Sequence, residues 1–212
     1  MSCRPGDLPF ALRDPARADE LSLALDPEDR LARGIVRLAG LGGSSAGSPA
    51  VILGGARWLV PRLERLGVTA TAGADDPVGG ALPAGVFDAV VGGWGVLRGT
   101  EAPELAACER LLRPGGRIVV LHDYGRDEVA PLLGTDRPEI ASWSRHGGPY
   151  LRGGWKLRVL HARIAVAGPS ALAALLAGEI GSGAVPGSGE VRGPGIHWKV
   201  AAYHRTAAGR GA

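Results

Sequence analysis

The sequence predicts an α/β protein with a doubly wound, mostly parallel sheet of about six strands and an antiparallel pair of strands at its C-terminal edge. Two observations lead to this fold class. Short apolar runs alternate with helical patterns through the middle of the chain, as in parallel sheets whose strands are joined by helices. The last third carries two long segments of alternating polarity, which is typical of antiparallel strands. A chain of 212 residues, 45% of them hydrophobic, can bury one sizeable core.

The composition argues against several classes of function. The formal charge is only +3 and the charged residues are evenly spread, so we expect no nucleic-acid partner. Lys156 and Lys199 are the only lysines, and this arginine bias together with 35 glycines is typical of a GC-rich bacterial genome. No apolar run approaches the roughly 20 residues that span a bilayer, and the N-terminus carries acids and prolines where a signal peptide is apolar. We therefore expect a cytoplasmic bacterial protein with no membrane partner.

The first 48 residues are predicted to form an irregular arm and one helix. Prolines and charges punctuate residues 1–25. Asp26-Pro27-Glu28 is typical of a helix start, with Asp26 as the N-cap and Pro27 at the first helical position. A helix over 27–41 follows, and the Gly- and Ser-rich segment 42–48 ends it as a linker. We assign 49–205 to the α/β domain and 206–212 to a disordered tail.

Strands and helices alternate in the middle of the chain. Apolar runs predict strands over Ala50–Leu53, Val68–Ala72, Val86–Val91 and Arg117–Leu121. Leucines at helical spacing predict helices over Trp58–Leu66 and Pro103–Leu112, with Pro61 delaying the start of the first. Arg113-Pro114-Gly115-Gly116 is expected to stop the second helix, because proline cannot continue it and glycine permits a tight turn.

The C-terminal third has a different pattern. Two strands are predicted over Trp155–Val166 and His197–Tyr203, and a helix over Pro169–Ile180 lies between them. The Gly-, Pro- and Ser-rich segment Gly181–Gly195 is predicted to be a loop that is either on the surface or disordered.

One group of segments resembles the class I S-adenosylmethionine-dependent methyltransferases. Phe87-Asp88 in an apolar strand, the helix ending at Leu112, and Arg113-Pro114-Gly115-Gly116-Arg117 leading into the next strand match the pattern of that family. The tail from Leu121 to Arg205 is similar to its closing half. The resemblance covers roughly residues 50–205. It implies a Rossmann-like fold, S-adenosylmethionine as cofactor, and methyl transfer to a small molecule.

The front half departs from the family at the cofactor loop. Members carry an acid at the end of the first strand, followed by a turn of the form Gly-x-Gly-x-Gly. Here Leu53 stands in the place of the acid, and Gly54-Gly55 begin a turn that is about two residues short. The resemblance assigns Gly54 and Gly55 to the cofactor, whereas the plain interpretation is a strand-to-helix turn.

A second departure concerns the length of the chain before the third predicted strand. Only ten residues, Pro77–Val86, separate Asp76 from Phe87, and a parallel crossover needs about a dozen or more. We therefore predict that one strand-helix unit is missing. Val68–Ala72 is then either the second strand, with Asp75 or Asp76 at the ribose, or the third, with them beside the adenine. A solvated turn is the alternative for both aspartates.

The strand ends at one rim of such a sheet form its binding crevice. Gly92 and Gly93 are candidates for close approach of the cofactor, with Trp94 stacking on a bound ring. The alternative is a glycine turn with Trp94 in the core.

His122-Asp123-Tyr124 follows the most clearly patterned strand and supplies the candidate catalytic groups. His122 is proposed as the general base and Asp123 as an orienting or loop-fixing group, while Tyr124 helps to wall the acceptor pocket. The alternative for His122 is a strand-end histidine bonded to a neighbouring loop. Because neighbouring residues of a strand point to opposite sides, we expect only one of His122 and Asp123 to face the crevice. His146, in the segment Trp143–Trp155, is a further substrate candidate if that segment forms a lid. The histidines are scattered in the sequence, and no metal site is expected.

Two classes of function remain open. The first is an S-adenosylmethionine-dependent methyltransferase that acts on a small molecule with an eroded cofactor loop. The second is a methyltransferase-fold protein that is catalytically inactive or repurposed, as a binding or partner subunit or as a cofactor-independent enzyme. A homodimer is left open in both cases.

Overall fold

A computed structural model describes residues 18–42, 47–73, 82–94, 96–97, 102–129, 148–166 and 195–207. Its helices are α1 (Ala18–Leu25), α2 (Arg30–Ala39), α3 (Val60–Arg65), α4 (Ala102–Leu111) and α5 (Pro149–Arg152), and a 3-10 helix spans Gly55–Leu59. Its strands are β1 (Ser48–Gly54), β2 (Val68–Ala72), β3 (Phe87–Gly93), β4 (Leu112–Asp123), β5 (Lys156–Ile164) and β6 (Ile196–Thr206). The predicted helix Pro169–Ile180 and nearly all of the loop before Gly195 lie outside the described residues, as do residues 208–212.

The strands form one six-stranded sheet in the order β2-β1-β3-β4-β6-β5. The first four are parallel to one another, and β6 runs antiparallel to both β4 and β5. This topology confirms the predicted Rossmann-like α/β fold with an antiparallel C-terminal edge.

The position of β2 decides between the two alternatives for Val68–Ala72. β2 pairs directly with β1, from Ser48 opposite Val68 to Ile52 opposite Ala72. It is therefore the second strand of the fold and forms one edge of the six-stranded sheet. No strand of the described residues lies outside it, in agreement with the predicted loss of one strand-helix unit.

The N-terminal region is more ordered than its prolines and charges suggest. Residues 18–25 form α1 where an irregular arm was expected, because Leu21 and Leu25 lie one turn apart and both are fully buried. The helix predicted over 27–41 begins at Arg30 and ends at Ala39. The N-cap residue is Asp29 and not Asp26 as predicted, because the chain makes a further turn before the helix begins. The Asp26 carboxylate still accepts hydrogen bonds from the first-turn amides of Leu31 and Ala32 at 3.0 and 2.9 Å.

The Arg113–Gly116 turn lies inside β4 rather than before it. Phe87 pairs with Leu112 and Ala89 with Arg117, so four residues of β4 stand opposite one residue of β3. Gly115 has a φ of +79°, which glycine adopts without strain. The predicted turn is thus present as an irregularity of register, after which β4 continues as a buried strand to Asp123.

Both faces of the sheet are covered. The face packed by α1, α2 and α3, here called the first face, carries Ile52, Val91, Val119 and Leu121. The second face is packed by α4 and α5 and carries Val51, Val90, Ile118 and Val120. Strand alternation therefore places odd and even residues of β4 on different faces. Among the described residues no helix is long and apolar enough to cross a membrane.

Candidate functional site

The carboxyl ends of β1, β3 and β4 meet at one rim of the sheet. Gly54 lies opposite Gly93, and Gly93 lies opposite Leu121. The sequence candidates Gly54, Gly93 and the residues that follow Leu121 are therefore brought together, as the family resemblance implies. This rim is where doubly wound sheets bind ligands.

Neighbouring residues of the chain cover the carboxyl end of β1. Gly54 has a φ of +63°, and the chain turns directly into the 3-10 helix that begins at Gly55. A Cβ atom on Gly54 would lie 2.5 Å from Cγ2 of Val96 and 2.7 Å from the Gly93 carbonyl oxygen. Gly54 is thus required by the close approach of Val96 and of β3, and the space above it is filled.

Leu53 occupies the position at which the family carries an acid. Its side chain is fully buried in the core of the second face, and it lies against Gly73, where an added Cβ would meet Leu53 Cδ2 at 2.4 Å. Leu53 offers no acceptor for an amino or hydroxyl group. The ends of β1 and β2 are consequently joined by apolar contact.

The segment Gly92–Leu97 covers the same rim from the side of β3. Val96 and Leu97 are buried, and an added Cβ on Gly92 would meet them at 3.5 and 3.8 Å. Gly55 is buried in the 3-10 helix. The residues present therefore do not fit S-adenosylmethionine at the position that the resemblance assigns to it, because Val96 lies where the cofactor would approach Gly54.

Hydrogen bonds at both ends of Leu97 hold this segment down. The Leu97 amide donates to Oε2 of Glu104 at 2.8 Å, and the Tyr150 hydroxyl donates to the Leu97 carbonyl. Trp94 and Leu97 have φ values of +43° and +55°, a conformation that side chains larger than glycine rarely adopt. Hydrogen bonds to α4 and α5 thus hold these strained residues over the rim, and we call the described residues 92–94, 96 and 97 the rim latch.

His122 and Asp123 point to opposite faces, as strand alternation predicts. His122 is buried on the second face, where its Nε2 lies 2.7 Å from the Tyr150 hydroxyl and its ring lies 6.1 Å from that of Tyr203. When the Tyr150 hydroxyl donates to the Leu97 carbonyl, its oxygen accepts from His122 in the tautomer that carries the proton on Nε2. In this arrangement His122 supports the rim latch through Tyr150. Its predicted role as a general base stays a prediction.

Asp123 lies on the first face of the sheet. Its Oδ1 accepts a hydrogen bond from Nε1 of Trp94 at 3.1 Å. Trp94 is buried and stacks on Trp198 at a centroid distance of 5.7 Å, with Trp58 at 5.9 Å from Trp94. The structure therefore places Trp94 in a three-tryptophan core cluster, the second of the two interpretations of its sequence position.

Of the remaining sequence candidates, Tyr124 directly follows β4 at this rim, and the others lie outside the described residues. Tyr124 is half-buried, and the guanidinium of Arg126 lies 5.8 Å from the centre of its ring. Asp75, Asp76 and His146 lie outside the described residues. Two groups that shape the rim, Glu104 and Val96, carry no sequence signal of their own, because their contacts arise only from the tertiary fold.

No protein-family model and no curated protein matches the chain. Among solved structures it is similar to a putative type II methyltransferase from Anaeromyxobacter dehalogenans, with 14% identity over 85% of this chain and 96% of that chain and a TM-score of 0.45. A SAM-dependent methyltransferase from Aquifex aeolicus is 16% identical over 90% of this chain and 93% of that chain, with a TM-score of 0.42. A putative methyltransferase from Bacillus halodurans is 10% identical over 82% and 97% of the respective chains, with a TM-score of 0.42. All three are methyltransferases by name, and at these identities and scores the likeness says nothing about activity.

Proposed function

We propose that this chain is a methyltransferase-fold protein that does not bind S-adenosylmethionine at the ends of β1 and β3, and that it serves as a binding or partner subunit without transferring methyl groups. The observation that carries the proposal is the filled space above Gly54, which Val96 and the Gly93 carbonyl occupy. A cofactor needs that space because the glycine turn is where backbone approaches it closely.

The chemistry of the rim supports the same conclusion. Binding the cofactor through an acid at the end of β1 requires a carboxylate, and Leu53 is apolar and fully buried. Admitting a ligand would require Val96 and Leu97 to leave the core. It would also break the hydrogen bonds from Leu97 to Glu104 and from Tyr150 to Leu97.

The second candidate is the small-molecule methyltransferase, and backbone strain is the observation that favours it. Positive φ angles at Trp94 and Leu97 are uncommon for such side chains, and strain of this kind clusters at ligand clamps and switch regions. If the rim latch moved away, the strain would be released and the ends of β1 and β3 would open. His122 and Asp123 would then lie beside the opened rim. His122 would be the base once its Nε2 is no longer hydrogen-bonded to the Tyr150 hydroxyl. A small-molecule acceptor belongs to this candidate, whereas a cytoplasmic location and a homodimer are proposed for both.

Isothermal titration with S-adenosylmethionine and with S-adenosylhomocysteine distinguishes the two. We expect the wild-type protein to show no saturable binding below millimolar concentration. Binding at micromolar concentration would overturn the proposal and support the methyltransferase. Thermal unfolding with excess ligand gives an independent reading, since a ligand at 100 times its Kd adds about 2.7 kcal/mol to the free energy of unfolding.

A further inference from the structure

Two histidines far apart in the sequence meet on the antiparallel edge of the sheet. His161 lies on β5 opposite Lys199, and His197 lies on β6 opposite Arg163, so the two histidines are diagonal neighbours on the same face. Nδ1 of His161 lies 3.0 Å from Nε2 of His197, and the ring centres are 5.2 Å apart with an angle of 25° between the planes. The strand register that pairs the two histidines cannot be read from the sequence.

The distance between the two nitrogens is that of two imidazoles bound to one metal ion. With metal–nitrogen bonds of about 2.0–2.1 Å, neighbouring ligands have nitrogens about 2.9 Å apart at a right angle and about 3.3 Å apart at the tetrahedral angle. The observed 3.0 Å falls between these values. An ion bound to both nitrogens would lie to one side of the line that joins them, so the two rings would turn to direct their lone pairs at it while β5 and β6 keep their register.

Hydrogen bonds hold the surroundings of the histidine pair in place. The ammonium group of Lys199 donates to the Arg126 carbonyl at 3.1 Å, and the carboxylate of Glu128 accepts from the His197 amide at 2.7 Å. These two bonds fix the backbone and the nearest lysine beside the pair.

We propose that His161 and His197 form a two-imidazole binding site for a borderline divalent transition-metal ion of the Zn²⁺ or Cu²⁺ class. Imidazole is a ligand that suits these ions, whereas Mg²⁺ and Ca²⁺ take oxygen ligands. The described residues contain no group of three or more metal-binding side chains, so water completes the coordination of the ion. Because the two ligands lie on different strands, the ion would cross-link β5 and β6 at the edge of the sheet.

Titration of the full-length protein with zinc chloride, followed by calorimetry, tests the site. We expect one equivalent of Zn²⁺ per chain, and a loss of affinity of more than about tenfold in both His161→Ala and His197→Ala, since even the loss of a supporting residue costs 10- to 100-fold at metal sites. His204→Ala is the matched control, because His204 also lies on β6 but seven residues further on, and on the opposite face of the strand. The thermal midpoint of each metal-free variant checks that the fold is retained.

Cu²⁺ provides a second and more direct readout. Electron paramagnetic resonance of the wild-type protein with one equivalent of Cu²⁺ should show hyperfine coupling to two nitrogens, and each single variant should show one or none. The proposal is overturned if the wild-type protein shows no saturable binding, if both single variants bind as the wild type does, or if His204→Ala weakens binding as much as they do.

Discussion

Replacing Tyr150 by phenylalanine removes a hydroxyl that holds the rim latch in place. Tyr150 is fully buried, and its hydroxyl donates to the Leu97 carbonyl while it accepts from His122 Nε2. The ring of Tyr150 stacks on Tyr203 at 4.1 Å, and phenylalanine retains this contact. The substitution therefore deletes two hydrogen bonds and very little packing.

The expected loss of stability follows from those two bonds. A typical intramolecular hydrogen bond contributes about 0.5–1.5 kcal/mol, and a buried partner left unsatisfied adds its own desolvation penalty. We expect Tyr150→Phe to lower the free energy of unfolding by about 2–3 kcal/mol. For a chain of 150–250 residues this corresponds to a fall of about 4–12 °C in the thermal midpoint.

Urea-induced unfolding followed by tryptophan fluorescence measures the effect. Tyr124→Phe is the matched control, because it makes the same chemical change on a half-buried tyrosine at the end of β4, and it should shift stability by less than about 0.5 kcal/mol. If Tyr150→Phe is no more destabilising than Tyr124→Phe, the hydrogen bonds do not hold the rim latch and the reasoning is refuted. Calorimetric titration of Tyr150→Phe with S-adenosylmethionine then shows whether loosening the latch exposes a binding site.

Three further predictions concern other parts of the fold. Gly54→Ala should lower the free energy of unfolding by about 2–5 kcal/mol, because Gly54 has a positive φ and an added Cβ would clash with Val96. A loss below about 1 kcal/mol in urea unfolding would show that the space beside Gly54 is open. Asp26→Ala should lower the free energy of unfolding by about 1–2 kcal/mol, because two buried amides of α2 lose their acceptor. Circular dichroism at low urea should show early fraying of α2, and a stability equal to that of the wild type would contradict the role of Asp26. The pKa values of His161 and His204 are both lowered from 6.5, chiefly by burial, so the unfolded chain binds protons more readily and stability should fall as pH drops below 6.5. A His161→Gln/His204→Gln double variant should show a flatter pH dependence of the unfolding free energy between pH 6.5 and 5, and an unchanged slope would contradict this account.

The ends of β2 and α4 could be predicted from local sequence patterns to within about one residue. β2 has the predicted ends, and α4 is displaced by one residue, because apolar runs and leucine spacing depend on local preferences. α1 was missed because its signal is only the pair Leu21 and Leu25 within a short helix beside prolines. Asp26 was identified as a cap, but the chain makes a further turn before α2 begins, which a propensity argument does not show.

The candidate site was predictable where it depends on strand geometry and not where it depends on loops. Carboxyl ends of parallel strands meet at one rim, and alternation separates His122 from Asp123, so these placements followed from the pattern alone. The contacts of Val96 and Tyr150 come from segments that the tertiary fold carries over the rim, and neither has a periodic signal. The pairing of His161 with a histidine 36 residues away likewise depends on a strand register that the sequence does not specify.

Opposing energies act on the closed rim. Burying Val96 and Leu97 contributes about 1.5–3 kcal/mol for each side chain, and Trp94 is buried as well. Holding Trp94 and Leu97 at positive φ opposes this by about 1–3 kcal/mol for each residue. The bonds from the Leu97 amide to Glu104 and from Tyr150 to the Leu97 carbonyl add to the burial and favour the closed state against this strain. Leu53 acts in the same direction, because a carboxylate in its fully buried position would carry an unpaired charge, whereas leucine packs against the closed rim.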